Sequence, residues 1–553
     1  MVVVDTSYKL MTRLIGKKFS DKDLADAMFD MGFEMELDGD NMRVEVTPDR
    51  PDLISTQGLV RAMRAYLKVR TGMPSYRVRK SDVRVIVKPS VSEVRPYTVA
   101  AVVKNLKFDD DRIKEVIWVQ EKLHSTYARN RKKAAIGIYP LEHIASPITY
   151  SAEDPDKVKF VPLDFDHEIS GRDVLKEHPA GREYAKLLEN YDRYPFFMDA
   201  KGEVMSMPPI INSERLGKVT KSTKDVFIEC SGHDLKALEV VLNILVTVLA
   251  DMGGEVYSVE IDYGRKKACT PDLEPEKRQI SAAFVNSVLG TGLKANQIKP
   301  LLERMMYGVV SVSGDRVKFL VPAFRSDIWH DVDVADDIGR AYGFGNIVPD
   351  HKPTATVGET TRDVKACDDI ARLMVGLGYQ QAFTLALTSS GDQFVKMNIN
   401  ELKHIKLGNA ADNALDMVRV WLVPELAKCL VDNRSREYPQ RFFETSYIVK
   451  PDDNADVRSR NILRFAAVSA HKSANYTEMR QAMGYVLDNL GYGYAVEAAE
   501  HGSFIPGRVG RVVVNGKKVG FVGELHPKVL ANLGLEVPVS AVEVNLTDIF
   551  ESE

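Results

Sequence analysis

Cysteine is scarce. The chain has four in 553 residues (Cys230, Cys269, Cys367 and Cys429), far apart and without a C-x-x-C pair. That spacing argues against a disulfide framework and a cysteine zinc site, and it suits a reducing compartment. Neither sign of charge predominates. With a formal net charge of −4, no general affinity for polyanions is expected, so any nucleic acid must meet a local basic patch. Long apolar runs are lacking too. The most apolar segment, LEVVLNILVTVLADMGG, carries Asn243 and breaks at Asp251. Its run of about thirteen residues is too short for a bilayer and reads as a buried core helix. The opening MVVVDTSYKLMTRLIG holds Asp5 and Lys9 inside its apolar stretch, unlike a signal-peptide core. A soluble, cytoplasmic protein is expected. The glycines are scattered and include no G-x-x-x-x-G-K phosphate loop.

What is present is an ordinary globular composition, 44% hydrophobic and 27% charged, long enough for roughly three or four domains. Two distant segments share one plan. Each has an apolar helical pattern that stops at a glycine, Gly32 or Gly308. Two short strands follow around a turn, DGDN or SGDR. Next comes an Arg-x-Asp step, Arg50-Pro51-Asp52 or Arg325-Ser326-Asp327, and then a helix containing Arg-Ala-Tyr. One residue of slack aligns both anchors, and a shared supersecondary unit is predicted.

The second copy packs five aspartates into FRSDIWHDVDVADDIGRAYGFGN. Where it has Asp333, Asp336 and Asp337, the first copy has Gln57, Val60 and Arg61, so the fold does not require the carboxylates. Those three share a helical face at i, i+3, i+4 spacing, opposite a predicted buried stripe of Val334, Ile338 and Ala341. Acidic residues favour a helix N-terminus in any case. Three like charges on one face nevertheless call for neutralisation, and an oxygen-only donor set suits a hard cation. Without an EF-hand pattern, Mg²⁺ is the expected ion.

This segment resembles the magnesium-binding module of the phenylalanine–tRNA ligase beta-subunit family. The pattern places acids at Asp327, Asp333, Asp336 and Asp337, with Asp331 outside it, and RAYGFGNIVP follows. The resemblance covers essentially the whole chain, in the shorter archaeal and eukaryotic-type layout. It implies an α+β multidomain fold in four parts. An N-terminal module spans 1–85, a mixed α/β tRNA-editing domain 86–268, and the metal-binding module, as repeat copy two, 269–347. An antiparallel-sheet domain like a class II synthetase core spans 355–553. Editing-domain markers are IGIYPLEHI, KFVPLDFDHEISGRDVLKEHPAGREYAKLL, MPPIINSERLGKVT and VFIECSG. Glu229, in the otherwise apolar VFIEC, either points into a cavity or pairs with a base in a structural ion pair. By resemblance it meets the phenol hydroxyl of a tyrosyl ester mistakenly attached to tRNA. Ser206, Asn212 and Ser231, beside Phe197 and Pro208, would orient the ester and a water. Such a second site is needed because a hydrophobic pocket rejects an added hydroxyl only by a factor of roughly 10².

In the C-terminal part, Asn409, Arg419, Pro424, Asn433 and RFFETS match the class II core. Two residues, Phe442 and Phe443, separate Arg441 from Glu444, however, and FIPGRVG is a poor substitute for the later glycine-rich segment ending in arginine. The resemblance therefore implies a domain without ligase catalysis. A separate alpha subunit would carry ATP and phenylalanine in a heterotetramer of two alpha and two beta chains acting on tRNA(Phe). The basic run Arg129–Lys133 could touch phosphate, but it is expected to be a solvated loop face. Two other functions remain open from the residues: a free-standing aminoacyl-tRNA deacylase, and a tRNA- or partner-binding scaffold without chemistry.

Overall fold

The computed structural model describes residues 2–17, 19–349, 356–410, 412 and 414–551. They fall into two compact units, Met1–His351 and Lys352–Glu553. Both mix helices with several sheets, an α+β multidomain architecture.

The repeat is present in the first unit, and it is longer than the sequence pattern indicates. Copy one runs through the strand Val2–Ser7, helices Tyr8–Ile15 and Asp21–Asp30, the hairpin Glu34–Asp38 and Asn41–Val46, and the helix Thr56–Tyr66. Copy two runs through Glu276–Ser281, Ala282–Leu289, Ala295–Arg304, Gly308–Ser313 with Arg316–Val321, and Asp331–Tyr342. In each three-stranded sheet the third strand lies in the middle. The added strand and helix match residue by residue. Ser7 and Ser281 cap the first helix through their hydroxyls, and Gly16 and Gly290 close it at φ 85° and 68°, a left-handed conformation suited to glycine. Asp40 and Asp315, in the hairpin turns, accept the N–H of Lys9 and Ala283 at 2.9 and 3.3 Å.

The two copies meet around charged forks. Arg50 holds Asp52 through two bonds of 2.9 Å, and Arg325 holds Asp327 at 2.8 and 2.6 Å. Arg50 Nε also lies 3.9 Å from Asp327 Oδ2. The Tyr66 hydroxyl donates to the Arg340 carbonyl, and Arg304 Nε donates to that of Tyr66.

Between the copies lies a sheet in the edge-to-edge order Ile211–Asn212, Val204–Met207, Tyr194–Met198, Ile148–Glu153, Val78–Val87, Glu255–Asp262, Tyr97–Lys104, Val226–Gly232, Ala134–Pro140. Lys267–Thr270 adds onto Glu255–Asp262. The strands Val78–Val87 and Lys267–Thr270 cross residues 85/86 and 268/269. The helix Leu235–Asp251, the apolar segment of the sequence, is buried along most of its length. Asn243 Nδ2 donates there to the carbonyls of Asp272 and Ala323. No helix among the described residues is long and apolar enough to cross a membrane. Alternation along Val226–Gly232 sends Val226, Ile228 and Cys230 into the core shared with that helix. Phe227, Glu229 and Ser231 therefore share the other face. The sheet curls on that side, so that Tyr139 on one edge strand reaches Ser206 near the other edge.

The second unit holds a seven-stranded sheet ordered Gln380–Gln381, Gln440–Pro451, Ser459–Ala470, Val539–Asn545, Lys517–Leu525, Phe504–Val514, Tyr494–Ala498. All neighbours are antiparallel except the first pair. Helices Tyr476–Asn489 and Val423–Asp432 pack against it.

Candidate functional site

Along the edge strand Ala134–Pro140, between the helix Asp110–Ser125 and residues 208–219, lies a cleft of about 460 Å³. Ile113, Val116, Ile136, Ile138 and Ile210 form much of its wall, and Ser206, Asn212 and Glu229 lie at its polar end. These three are joined through one group. The Tyr139 hydroxyl lies 2.8 Å from Ser206 Oγ, 3.0 Å from Glu229 Oε1 and 3.4 Å from Asn212 Oδ1. A single hydroxyl proton serves one acceptor at a time, so the other contacts draw on protons from Ser206 or from Glu229 itself.

Glu229 is 2% exposed. Burial pushes its carboxyl up to about 8, against the opposing pull of the Tyr139 hydrogen bond and the nearby Arg95 charge. At neutral pH it is therefore mostly protonated. Its second oxygen, Oε2, is buried and has no hydrogen-bond partner, a cost that a ligand hydroxyl would remove. The register places Glu229 between Ala100 and Gly137. A Cβ on Gly137 would collide with the Tyr139 hydroxyl and Glu229 Oε1, so the glycine makes room for the polar cluster.

Two further groups shape the mouth. His124 Nε2 accepts the Ile136 N–H at 2.8 Å, which places the ring proton on Nδ1, facing Glu121 at 3.1 Å. Burial holds the His124 pKa down. The hydrogen bond from His124, with help from Arg131, brings Glu121 to about 2. Arg131 is not on a solvated face as the sequence pattern indicates. It donates to the carbonyls of Pro209 and Ile210 at 3.2 and 2.8 Å and pairs with Glu121. Its guanidinium also lies 4.3 Å from the Tyr184 ring. Exposed Arg129 and Lys132 keep the expected character.

Ser231 is not part of the cleft. Fully buried, it accepts from Arg95 Nε at 3.1 Å. Phe197 lies behind the site, stacked on Tyr150 at 4.3 Å, while Pro208 lines the cleft. Of the four expected residues, three converge. Sequence reasoning missed Tyr139, although its segment IGIYP was a marker. A tyrosine in a buried strand with no polar neighbours in sequence gives no signal until the sheet curls.

The four aspartates do not converge on one point, and the two that meet, Asp327 and Asp337, do so on Arg325 Nη2. Asp327 is held by Arg325, with its pKa lowered to about 2 despite burial. Asp337 is buried between Arg325 (2.8 Å) and the Tyr307 hydroxyl (2.7 Å). Asp333 accepts the N–H groups of Trp329 and His330 at 2.7 Å, capping its own helix, and Asp336 pairs with Arg340. Among the described residues no group of three acidic, histidine or cysteine side chains is placed to hold a metal. The donor set does not fit the expected Mg²⁺, because cationic and N–H donors already take up its charge. The repulsion that suggested a cation is relieved by Arg325 at Asp337, Arg340 at Asp336 and backbone N–H groups at Asp333. Asp337 also joins the buried side of its helix with Val334, Ile338 and Ala341 rather than opposing it.

In the second unit Arg441 and Glu444, three apart on one strand, face opposite sides. Arg441 bonds Glu478, while buried Glu444 is held by Arg419 at 3.0 Å and by the Thr384 hydroxyl. They do not present a joint site.

Comparison with known proteins places this geometry. Residues 348–546 match the family described as phenylalanyl tRNA synthetase beta chain CLM domain, and residues 278–344 match the tRNA synthetase B5 domain. The chain is 40% identical over 555 residues to the phenylalanine–tRNA ligase beta subunit of Pyrococcus abyssi, covering 99% of each. It is 38% identical to that of Methanocella arvoryzae, again over 99% of each. A crystal structure of an N-terminal fragment of the phenylalanyl-tRNA synthetase beta subunit from Pyrococcus horikoshii superposes with a TM-score of 0.59 at 37% identity. It covers 62% of this chain and 99% of the fragment.

Proposed function

This chain belongs to the phenylalanine–tRNA ligase beta-subunit family, and we propose that it serves there as the editing subunit, hydrolysing tyrosine wrongly esterified to tRNA(Phe). The observation that carries this reading is Glu229 Oε2, a buried oxygen with no partner in a residue that lines an otherwise largely apolar cleft. A tyrosyl ring fits the isoleucine walls, and its hydroxyl finds Glu229 at the polar end. A phenylalanyl ring leaves that oxygen unsatisfied and is held less well. The site thus selects for the added hydroxyl that an apolar pocket rejects poorly.

Ser206 and Asn212 are the candidates for orienting the ester carbonyl and the attacking water. Tyr139 fixes both relative to Glu229 through its three contacts. No serine–histidine pair supports a covalent route here, since His124 is committed to Ile136 and Glu121. Attack by a positioned water is the chemistry assigned. Ser231 contributes only through Arg95.

Ligase chemistry is assigned to an alpha subunit that binds ATP and phenylalanine, within a heterotetramer of two alpha and two beta chains. The opposite orientation of Arg441 and Glu444 supports that division. Mg²⁺ held by the four aspartates has no part in this proposal. The test is deacylation of Tyr-tRNA(Phe) by the purified chain, with pyrophosphate exchange measured before and after adding the alpha subunit. Editing without exchange is expected from the chain alone. Exchange by the chain alone overturns the division of labour, and failure to deacylate overturns the editing role.

A further inference from the structure

Beside the editing cleft, past the Arg131 segment, lies a second and more open cleft of about 570 Å³, lined by Arg95, Lys132, Lys186, Asn190, Tyr191 and His233. No carboxylate lines it. Lys132 and Lys186 are exposed, and among the described residues neither has a salt-bridge partner.

Arg95 is the unusual member. It is 3% exposed, yet every hydrogen bond it makes goes to a neutral oxygen. Nε donates to Ser231 Oγ at 3.1 Å, and Nη2 donates to the carbonyls of Ser231 and Arg131 at 2.5 and 3.3 Å. Among the described residues its third nitrogen, Nη1, has no hydrogen-bond partner. A buried guanidinium ordinarily has an anion opposite it, because desolvating an uncompensated charge is costly. The carboxyl whose charge would act on it is Glu229, which burial keeps mostly protonated at neutral pH. Among the described residues Arg95 has no salt-bridge partner.

We propose that this cleft binds the phosphodiester backbone of the RNA strand whose 3′ ester enters the editing cleft, with Arg95, Lys132 and Lys186 as its cationic contacts. This rests on the editing role proposed above. The spread of cations along an open surface suits an extended polyanion better than a small ion. Half-buried Tyr191 offers a stacking face, which favours nucleic acid over an acidic peptide. Arg131 links the two clefts: its carbonyl accepts from Arg95, while its guanidinium lines the editing cleft. The basic run is thus used in two directions.

The test uses the full chain and a fluorescein-labelled single-stranded RNA with the tRNA 3′-end sequence, titrated across a range of KCl concentrations. Both lysines are exposed, so Lys132→Ala with Lys186→Ala should fold normally. The pair is expected to weaken binding about tenfold near 0.1 M salt and to reduce the slope of log K against log[KCl] by roughly 1.4, about 0.7 per phosphate contact on a single strand. Lys186→Glu should weaken binding further. With Tyr-tRNA(Phe) as substrate, KM should rise while kcat holds. Unchanged affinity and slope in both variants, with ester hydrolysis intact, overturn the RNA cleft and leave the editing role standing. Lost affinity in the variants of a chain that never hydrolyses the ester upholds the cleft as an RNA site and overturns the editing role instead. Polyglutamate binding as tightly as the RNA would assign the cleft to acidic polypeptides and overturn the proposal.

Discussion

Arg325 Nη2 donates to Asp337 Oδ2 at 2.8 Å while the same guanidinium grips Asp327 through two bonds. One cation thereby neutralises two carboxylates that the sequence alone suggests as metal ligands. Removing one partner of such a buried pair strands the other, at a cost of about 3–5 kcal/mol. Asp337→Ala is expected to destabilise the first unit by that order, measured by urea unfolding, with Asp337→Asn costing less. Chelation with EDTA should leave the unfolding curve unmoved. A marked loss of stability on chelation would restore the cation site.

Gly137 lies opposite Glu229, with no room for a methyl group between the Tyr139 hydroxyl and the Glu229 carboxyl. Gly137→Ala must push one of them aside. Hydrolysis of Tyr-tRNA(Phe) should fall at least tenfold, the equivalent of about 1.4 kcal/mol in the barrier, while phenylalanine charging by the assembled enzyme is retained. Full editing activity in this variant would show that the polar cluster is not part of the site.

The raised Glu229 pKa makes stability depend on pH. In the unfolded chain the carboxyl titrates near 4.3, and in the fold at about 8. Below the lower value both states hold the proton, and the contribution is complete. As pH rises through the window between the two values, the unfolded state releases the proton first, so stability falls by at most about 5 kcal/mol. Glu229→Gln does not titrate. Its melting temperature relative to the parent should therefore rise between pH 5 and pH 8, and a constant difference would contradict the buried protonated acid.

Much of this organisation was legible in local sequence. Glycine stops, the hairpin turns and the Arg-x-Asp step are short-range signals, and they marked the repeat. Its opening strand and helix escaped because the two copies share little there beyond the cap serine and the closing glycine. Glu229 stood out because charge in an apolar strand is rare. Tyr139 and Arg95 did not, since Tyr139 acquires its role only when distant strands meet across the curled sheet and Arg95 only when its loop packs on Ser231 and Arg131. The aspartates misled for a related reason. Their arginine partner stands within the same quoted stretch, but periodicity shows which residues share a face and does not show that Arg325 folds back beneath it.

The editing role stands or falls with Glu229. Substituting Glu229→Ala leaves a buried phenol hydroxyl without its partner, which costs about 1–3 kcal/mol. The most direct measurement is hydrolysis of Tyr-tRNA(Phe) by this variant, taken beside phenylalanine charging by the assembled enzyme and the melting temperature of the same preparation. Tyrosyl-ester hydrolysis should drop roughly 5- to 150-fold with charging nearly unchanged, so that Tyr-tRNA(Phe) accumulates. Equal loss of hydrolysis and charging, together with a lowered melting temperature, would make Glu229 a structural residue and contradict its role as reader of the tyrosine hydroxyl.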